Sequence, residues 1–147
     1  MPRKSPVSAA RARPAKLVAV NDSAQPKVLV IDDDILVRRT ISRILQHGGY
    51  DVSLAEDGAK GVAKFHSERP DLVITDIIMP EQEGIETIIQ LLRDDPRARI
   101  IAVSGGGRLG SMDFLTVAHK LGAAATLRKP FEPAELLGCV ERALAPA

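Results

Sequence analysis

With 147 residues, 45% of them apolar, the chain has material for one hydrophobic core of ordinary domain size. Its 20 basic and 19 acidic residues are unevenly spread: residues 1–26 hold five Lys/Arg and one Asp, leaving fifteen basic against eighteen acidic residues in 27–147. A mildly acidic body excludes broad nucleic-acid binding by the folded part, and a single cysteine, Cys139, without any Cys/His cluster at zinc spacing excludes an internal disulfide or a zinc site.

Residues 1–26 carry Pro2, Pro6, Pro14 and Pro26 among scattered Arg, Ser and Ala. Such a composition cannot offset its ordering entropy, so a disordered basic tail is expected. It reads as a solvated extension, or even a misplaced start codon, rather than as a contact for an anionic partner. Its apolar stretch from Ala15 to Val20 is broken by Lys16 and too short for a signal-peptide core, and no segment is long enough to span a membrane. A cytoplasmic location is expected.

From Lys27 to Ala147 a single domain is predicted. Val28-Leu29-Val30-Ile31 is a near-continuous β-branched run, as a strand covered on both faces should be. A helical stripe follows at Val37, Ile41, Ile44 and Leu45 and stops at Gly48-Gly49. Asp51 to Ala55 is a weaker strand. Ala59 to His66 is a second helix, with Asp57 as its N-cap and its end before Pro70. Leu72-Val73-Ile74 forms the third strand, and Ile85, Ile88, Ile89 and Leu92 mark the third helix, closed before Pro96. Ile100 to Val103 is the fourth strand. Phe114, Ala118 and Leu121 mark a helix capped by Ser111 and stopped at Gly122. Ala124 to Leu127 is the fifth strand, and Leu137, Val140 and Leu144 mark a last helix with Pro133 in its first turn. Five β-α repeats imply an α/β parallel sheet with right-handed crossovers and helices on both faces. No output module follows Ala147, so a stand-alone domain is expected.

In open α/β sheets, ligands bind beyond the carboxyl ends of the strands. Here the first strand runs into Asp32-Asp33-Asp34, the third into Asp76, the fourth into Ser104-Gly105-Gly106-Gly107 and the fifth into Lys129-Pro130-Phe131. With strand order 2-1-3-4-5, the first and third strands are neighbours about 5 Å apart, so their terminal carboxylates meet. Crowded like charges require protons or a cation. Oxygen donors without His or Cys favour magnesium, which readily takes a phosphate oxygen as a further ligand. A carboxylate can also be the nucleophile that forms an acyl phosphate. Asp76, alone at the end of the central strand, suits that role, while Asp32 and Asp33 suit metal ligation. Lys129 offers a flexible point charge, Ser104 a hydroxyl, and Ile78 and Gly105 backbone N–H donors.

This pattern resembles the receiver domain of two-component response regulators, in the stand-alone, chemotaxis-regulator-like form, over residues 27–147. The acidic pair is similar to Asp32-Asp33, the phosphoacceptor to Asp76 within Asp76-Ile77-Ile78-Met79-Pro80, the loop glycine to Gly84, the hydroxyl position to Ser104, and the lysine-proline pair to Lys129-Pro130. The resemblance implies a flavodoxin-like doubly wound sheet of five parallel strands with five helices, and a cis bond before Pro130. It further implies Mg2+ held by Asp32, Asp33, Asp76 and Ile78, and a phosphoryl group taken from a histidine kinase or phosphotransfer protein. The domain would be a signalling phosphoacceptor that catalyses only its own phosphorylation and dephosphorylation. One position departs from the family: Thr126 stands where a switching Tyr or Phe is common. Coupling would then run through Ser104, the glycine loop and the fourth helix. Gly105 to Gly107, with Arg108 and Gly110 behind them, read equally as a rearranging loop and as a loose connector.

Other readings explain single residues. Asp34 reads as a helix cap, Met79 and Phe131 as packing residues, Cys139 as helix-packing material, and His47, His66 and His119 as residues without a chemical role. A flavin binder shares the architecture but needs a Ser/Thr/Gly phosphate loop where Asp32 to Asp34 stand. A phosphorylation-independent interaction module is the stronger rival, because Thr126 weakens the switch and fold alone does not establish function.

Overall fold

The computed structural model describes residues 25–77, 83–105 and 114–146. The expectations placed on residues 1–24, Ile78 to Pro80, Gly106 to Gly110 and Ser111 fall outside these. Strands and helices alternate as β1 Lys27–Ile31, α1 Ile35–His47, β2 Asp51–Ala55, α2 Gly58–Glu68, β3 Leu72–Asp76, α3 Glu83–Asp94, β4 Ile100–Ser104, α4 Phe114–Leu121, β5 Ala125–Arg128 and α5 Pro133–Leu144. The strands form one parallel sheet in the order β2-β1-β3-β4-β5, the flavodoxin-like doubly wound arrangement.

The period-2 geometry of a strand sends alternate side chains to opposite faces, and both faces are covered. Leu29, Ile31, Val73, Ile100 and Ala102 pack with Phe65 of α2, Ile88 and Leu91 of α3, and Ala118 of α4. Val28, Val30, Leu72, Ile74, Ile101 and Val103 pack with Ile41 and Leu45 of α1 and with Leu136, Cys139 and Val140 of α5. Being buried twice over is what makes the central strands continuously apolar.

Local signals set most of the helix ends. Asp34 caps α1 by accepting from the Leu36 N–H at 2.8 Å, and Asp57 caps α2 by accepting from the Lys60 N–H at 2.8 Å. Glu132 and Glu135 form a capping box ahead of α5, with Pro133 in the first turn. Gly49 and Gly122 adopt positive φ after α1 and α4, as stop residues should.

Three readings shift. Helix α2 runs to Glu68 and ends through Arg69 in the left-handed region (φ 51), where a glycine would be the usual residue. Strand β5 lies one residue later than expected, because Ala124 donates to Ile100 O from outside the strand and pairing in register begins at Ala125. The buried row of α3 comprises Gly84, Thr87, Ile88 and Leu91, leaving Ile89 exposed and Ile85 and Leu92 only half-buried. The close seating of Gly84 sets this rotation, and hydropathy cannot see it. Among the described residues no helix is long and apolar enough to cross a membrane.

Candidate functional site

The sheet register alone brings the acidic residues together. Ile31 pairs with Thr75, so the next residue on each chain, Asp32 and Asp76, leave adjacent strand ends. Asp33 follows on the turn into α1. Carboxylate oxygens of Asp32, Asp33 and Asp76 lie within 4.8 Å of one another. Lys129 directly follows β5, and its bond to Pro130 is cis, as the resemblance implies. Its Nζ stands 3.3 Å from Asp32 Oδ2 and 3.5 Å from Asp76 Oδ2. Ser104 closes β4 one residue past the Asp76–Val103 pair, is buried at 4% exposure, and accepts the Lys129 N–H on its carbonyl at 2.7 Å. Gly105 follows it on the surface.

The two strand-end carboxylates are nearly inaccessible, Asp32 at 2% and Asp76 at 7% exposure, whereas Asp33 is exposed. Burial pushes the Asp32 carboxyl above its ordinary value, and the Asp33 charge adds to the push; the Asp34 N–H and Lys129 oppose it. Every polar atom of Asp32 is engaged. Its N–H donates to Ala55 O at 3.2 Å, Oδ1 accepts the Asp34 N–H at 2.9 Å, Oδ2 faces Lys129, and its carbonyl accepts from Arg38 Nη1 at 2.6 Å.

Behind the site, the loop glycine is a steric requirement. A Cβ on Gly84 would fall 2.2 Å from Asp76 O and 2.4 Å from Ile77 Cα, both main-chain atoms that cannot step aside. Helix α3 therefore rests directly on the end of β3. The Thr75 hydroxyl donates to Asp76 O at 3.2 Å, and the Ile77 N–H donates to Val103 O at 2.9 Å, fixing the backbone that presents Asp76.

These residues fit a hard divalent cation. Three carboxylates set against one ammonium leave two negative charges, and the donors are all oxygen. The structure brings together Asp32, Asp33, Asp76, Lys129 and Ser104; Ile78 lies outside the described residues. Thr126 sits half-buried on β5 opposite Ala102. Residue-by-residue reading missed Arg38, whose sequence signal is a cation placed in the opening turn of a helix against the dipole. It also missed Ile35 and Leu36, which stand 49% and 69% exposed beside the acidic turn.

Comparison with known proteins agrees with this geometry. A family model described as the response regulator receiver domain matches residues 28–141. The chain is 35% identical over 118 residues to chemotaxis protein CheY of Listeria monocytogenes, a match covering 80% of this chain and 97% of that protein. It is 33% identical over 117 residues to CheY of Thermotoga maritima, covering 79% and 95%. Among solved structures, a receiver domain protein from Clostridium thermocellum matches with a TM-score of 0.74 at 30% identity, covering 81% of this chain and 94% of that one. CheY4 of Vibrio cholerae matches with a TM-score of 0.74 at 32% identity, covering 82% and 100%.

Proposed function

This chain belongs to the response-regulator receiver family, and from that premise we propose that it is a phosphoacceptor signalling protein in which Asp76 takes a phosphoryl group from a histidine kinase or phosphotransfer protein. The convergence of Asp32, Asp33 and Asp76 beneath the Lys129 ammonium carries this reading.

An oxygen of the Asp76 carboxylate attacks the phosphorus of a donor phosphohistidine. The P–O bond forms as the P–N bond breaks, and the imidazole leaves with the electron pair and is protonated from solvent. Lys129, already within 3.5 Å of Asp76, meets a phosphoryl oxygen and balances its charge. The Ser104 hydroxyl and the Gly105 N–H are placed at the neighbouring strand end to donate to others. Mg2+ held by Asp32, Asp33 and Asp76, with Ile78 as the fourth protein ligand, would neutralise charge on the phosphoryl oxygens during transfer and later hydrolysis. Asp32 is fixed in direction by its hydrogen bonds, so little reorganisation accompanies the step.

The added charge draws Ser104 and Lys129 inward and shifts a pre-existing equilibrium of the face running from β4 to α5. Thr126, half-buried in that face, has no aromatic ring with which to change places. The output is a protein–protein contact in the cytoplasm, without direct DNA binding by the folded domain, and exposed Ile35 and Leu36 give a phosphodonor an apolar footing beside the acidic turn. A receiver-fold interaction module that works without phosphorylation is the second reading, favoured by Thr126 alone.

Incubation with acetyl phosphate and Mg2+ should yield an acid-stable, base-labile adduct that Asp76→Asn abolishes. Labelling that survives in the Asn variant would overturn the assignment of Asp76. No adduct on the wild-type chain would favour the interaction module.

A further inference from the structure

The carbonyl that Arg38 holds belongs to the peptide joining Asp32 to Asp33. Its orientation therefore sets the directions in which both carboxylates leave the end of β1. The Arg38 guanidinium reaches back from the opening turn of α1, whose first turn holds no acidic side chain, to grip that oxygen at 2.6 Å. A cation there is disfavoured by the helix dipole, and it also stands close to a site that must attract a dication. Its charge extends to the loop after β2, where the Glu56 carboxyl is held below its ordinary value chiefly by Lys60 and secondarily by Arg38. Two electrostatic arguments thus speak against an arginine at this position. One geometric argument speaks for it: no other side chain among the described hydrogen bonds reaches the Asp32 carbonyl.

We propose that Arg38 is a positioning residue for the metal ligands, clamping the Asp32–Asp33 peptide so that both carboxylates face one cation. This inference rests on the reading of the acidic cluster as a Mg2+ site. Removing a bystander cation would strengthen Mg2+ binding, because repulsion falls. Removing a clamp weakens it, because the peptide plane is freed to turn. The sign of the change separates the two.

Calorimetric titration of the full-length wild-type chain, Arg38→Met and Arg38→Gln with MgCl2 decides the matter, with the metal-free melting midpoint of each recorded alongside. Arg38→Met should bind Mg2+ roughly ten-fold more weakly, the lower end of the loss seen when an outer-sphere partner of a metal ligand is removed. Arg38→Gln, uncharged but still able to donate to the carbonyl, should lose less. Should Arg38→Met fail to fold, Arg38→Ala, which likewise removes both charge and donor, gives the sign in its place. Affinity equal to or tighter than wild type in a folded Met or Ala variant overturns the proposal, as does a lowered melting midpoint with unchanged affinity. Absence of Mg2+ binding by the wild-type chain would instead overturn the metal reading of the acidic cluster, an outcome distinct from failure of Arg38.

Discussion

The two ends of the sheet use charged residues to opposite effect. At the amino ends of the strands two charged side chains close the fold through backbone partners: Asp71 Oδ2 accepts the Lys27 N–H at 2.8 Å, and Arg99 Nη1 donates to Leu144 O at 2.8 Å at the end of α5. At the carboxyl ends, three carboxylates share a few ångströms with one lysine. Residues at the first end are matched to the protein itself, whereas the excess negative charge at the second suits the Mg2+ proposed above. Stability and function are therefore separated along the strand axis, and substitutions at the two ends should differ in sign.

The largest expected effect lies where the two demands meet. Gly84→Ala drives a methyl group into the main chain of Asp76 and Ile77. It should cost about 3 kcal/mol in urea unfolding and also abolish adduct formation, since the shifted backbone is the one presenting Asp76. A loss below about 1 kcal/mol with labelling retained would show that α3 moves off β3 freely. A purely structural counterpart is Arg99→Met, which strips a charged hydrogen bond from the end of α5. About 1.5 kcal/mol of stability should go, with Mg2+ affinity unchanged. A shift in affinity would mean that the two ends communicate.

Smaller, but more telling, is a reversal of sign between two aspartates. Asp71→Ala leaves the Lys27 N–H without its acceptor and should destabilise by about 1 kcal/mol. Asp32→Asn removes a buried charge from the crowded end while keeping an oxygen for the Asp34 N–H. In metal-free buffer it should stabilise by about 1 kcal/mol. Equal signs in chemical denaturation would erase the contrast between the ends.

What was legible in the sequence follows the same division. The β1, β3 and β4 runs were readable because double burial keeps residues 28–31, 72–74 and 100–103 apolar, and the site was readable because polar residues end these strands at Asp32, Asp76 and Ser104. Caps such as Asp34 and Asp57 were visible for their short side-chain acceptors. Features that depend on tertiary contact were not visible. The rotation of α3 is set by a glycine pressed on a carbonyl, so Ile89 looked like core and is exposed. The left-handed Arg69 carries no mark of its backbone, and the grip of Arg38 on Asp32 O joins a helix to the strand end six residues earlier, a pairing that no periodicity encodes.

The finest test of the contrast is its pH dependence. Burial, with help from the Asp33 charge, lifts the folded-state carboxyl of Asp32 above its ordinary 3.8. Between that value and the folded one, the native protein binds more protons at Asp32 than the unfolded chain does, so this group's contribution to stability falls as pH rises. Below the window, wild-type Asp32 is neutral in both states and resembles asparagine. Measured in metal-free buffer from about pH 4 to pH 7, the stability advantage of Asp32→Asn should therefore open with rising pH and then level off. Saturating Mg2+ should reverse it, because only the wild-type cluster gains from binding. A gap that stays constant with pH would mean that Lys129 and the Asp34 N–H already offset the burial, leaving the carboxyl ends as well matched to the protein as the amino ends.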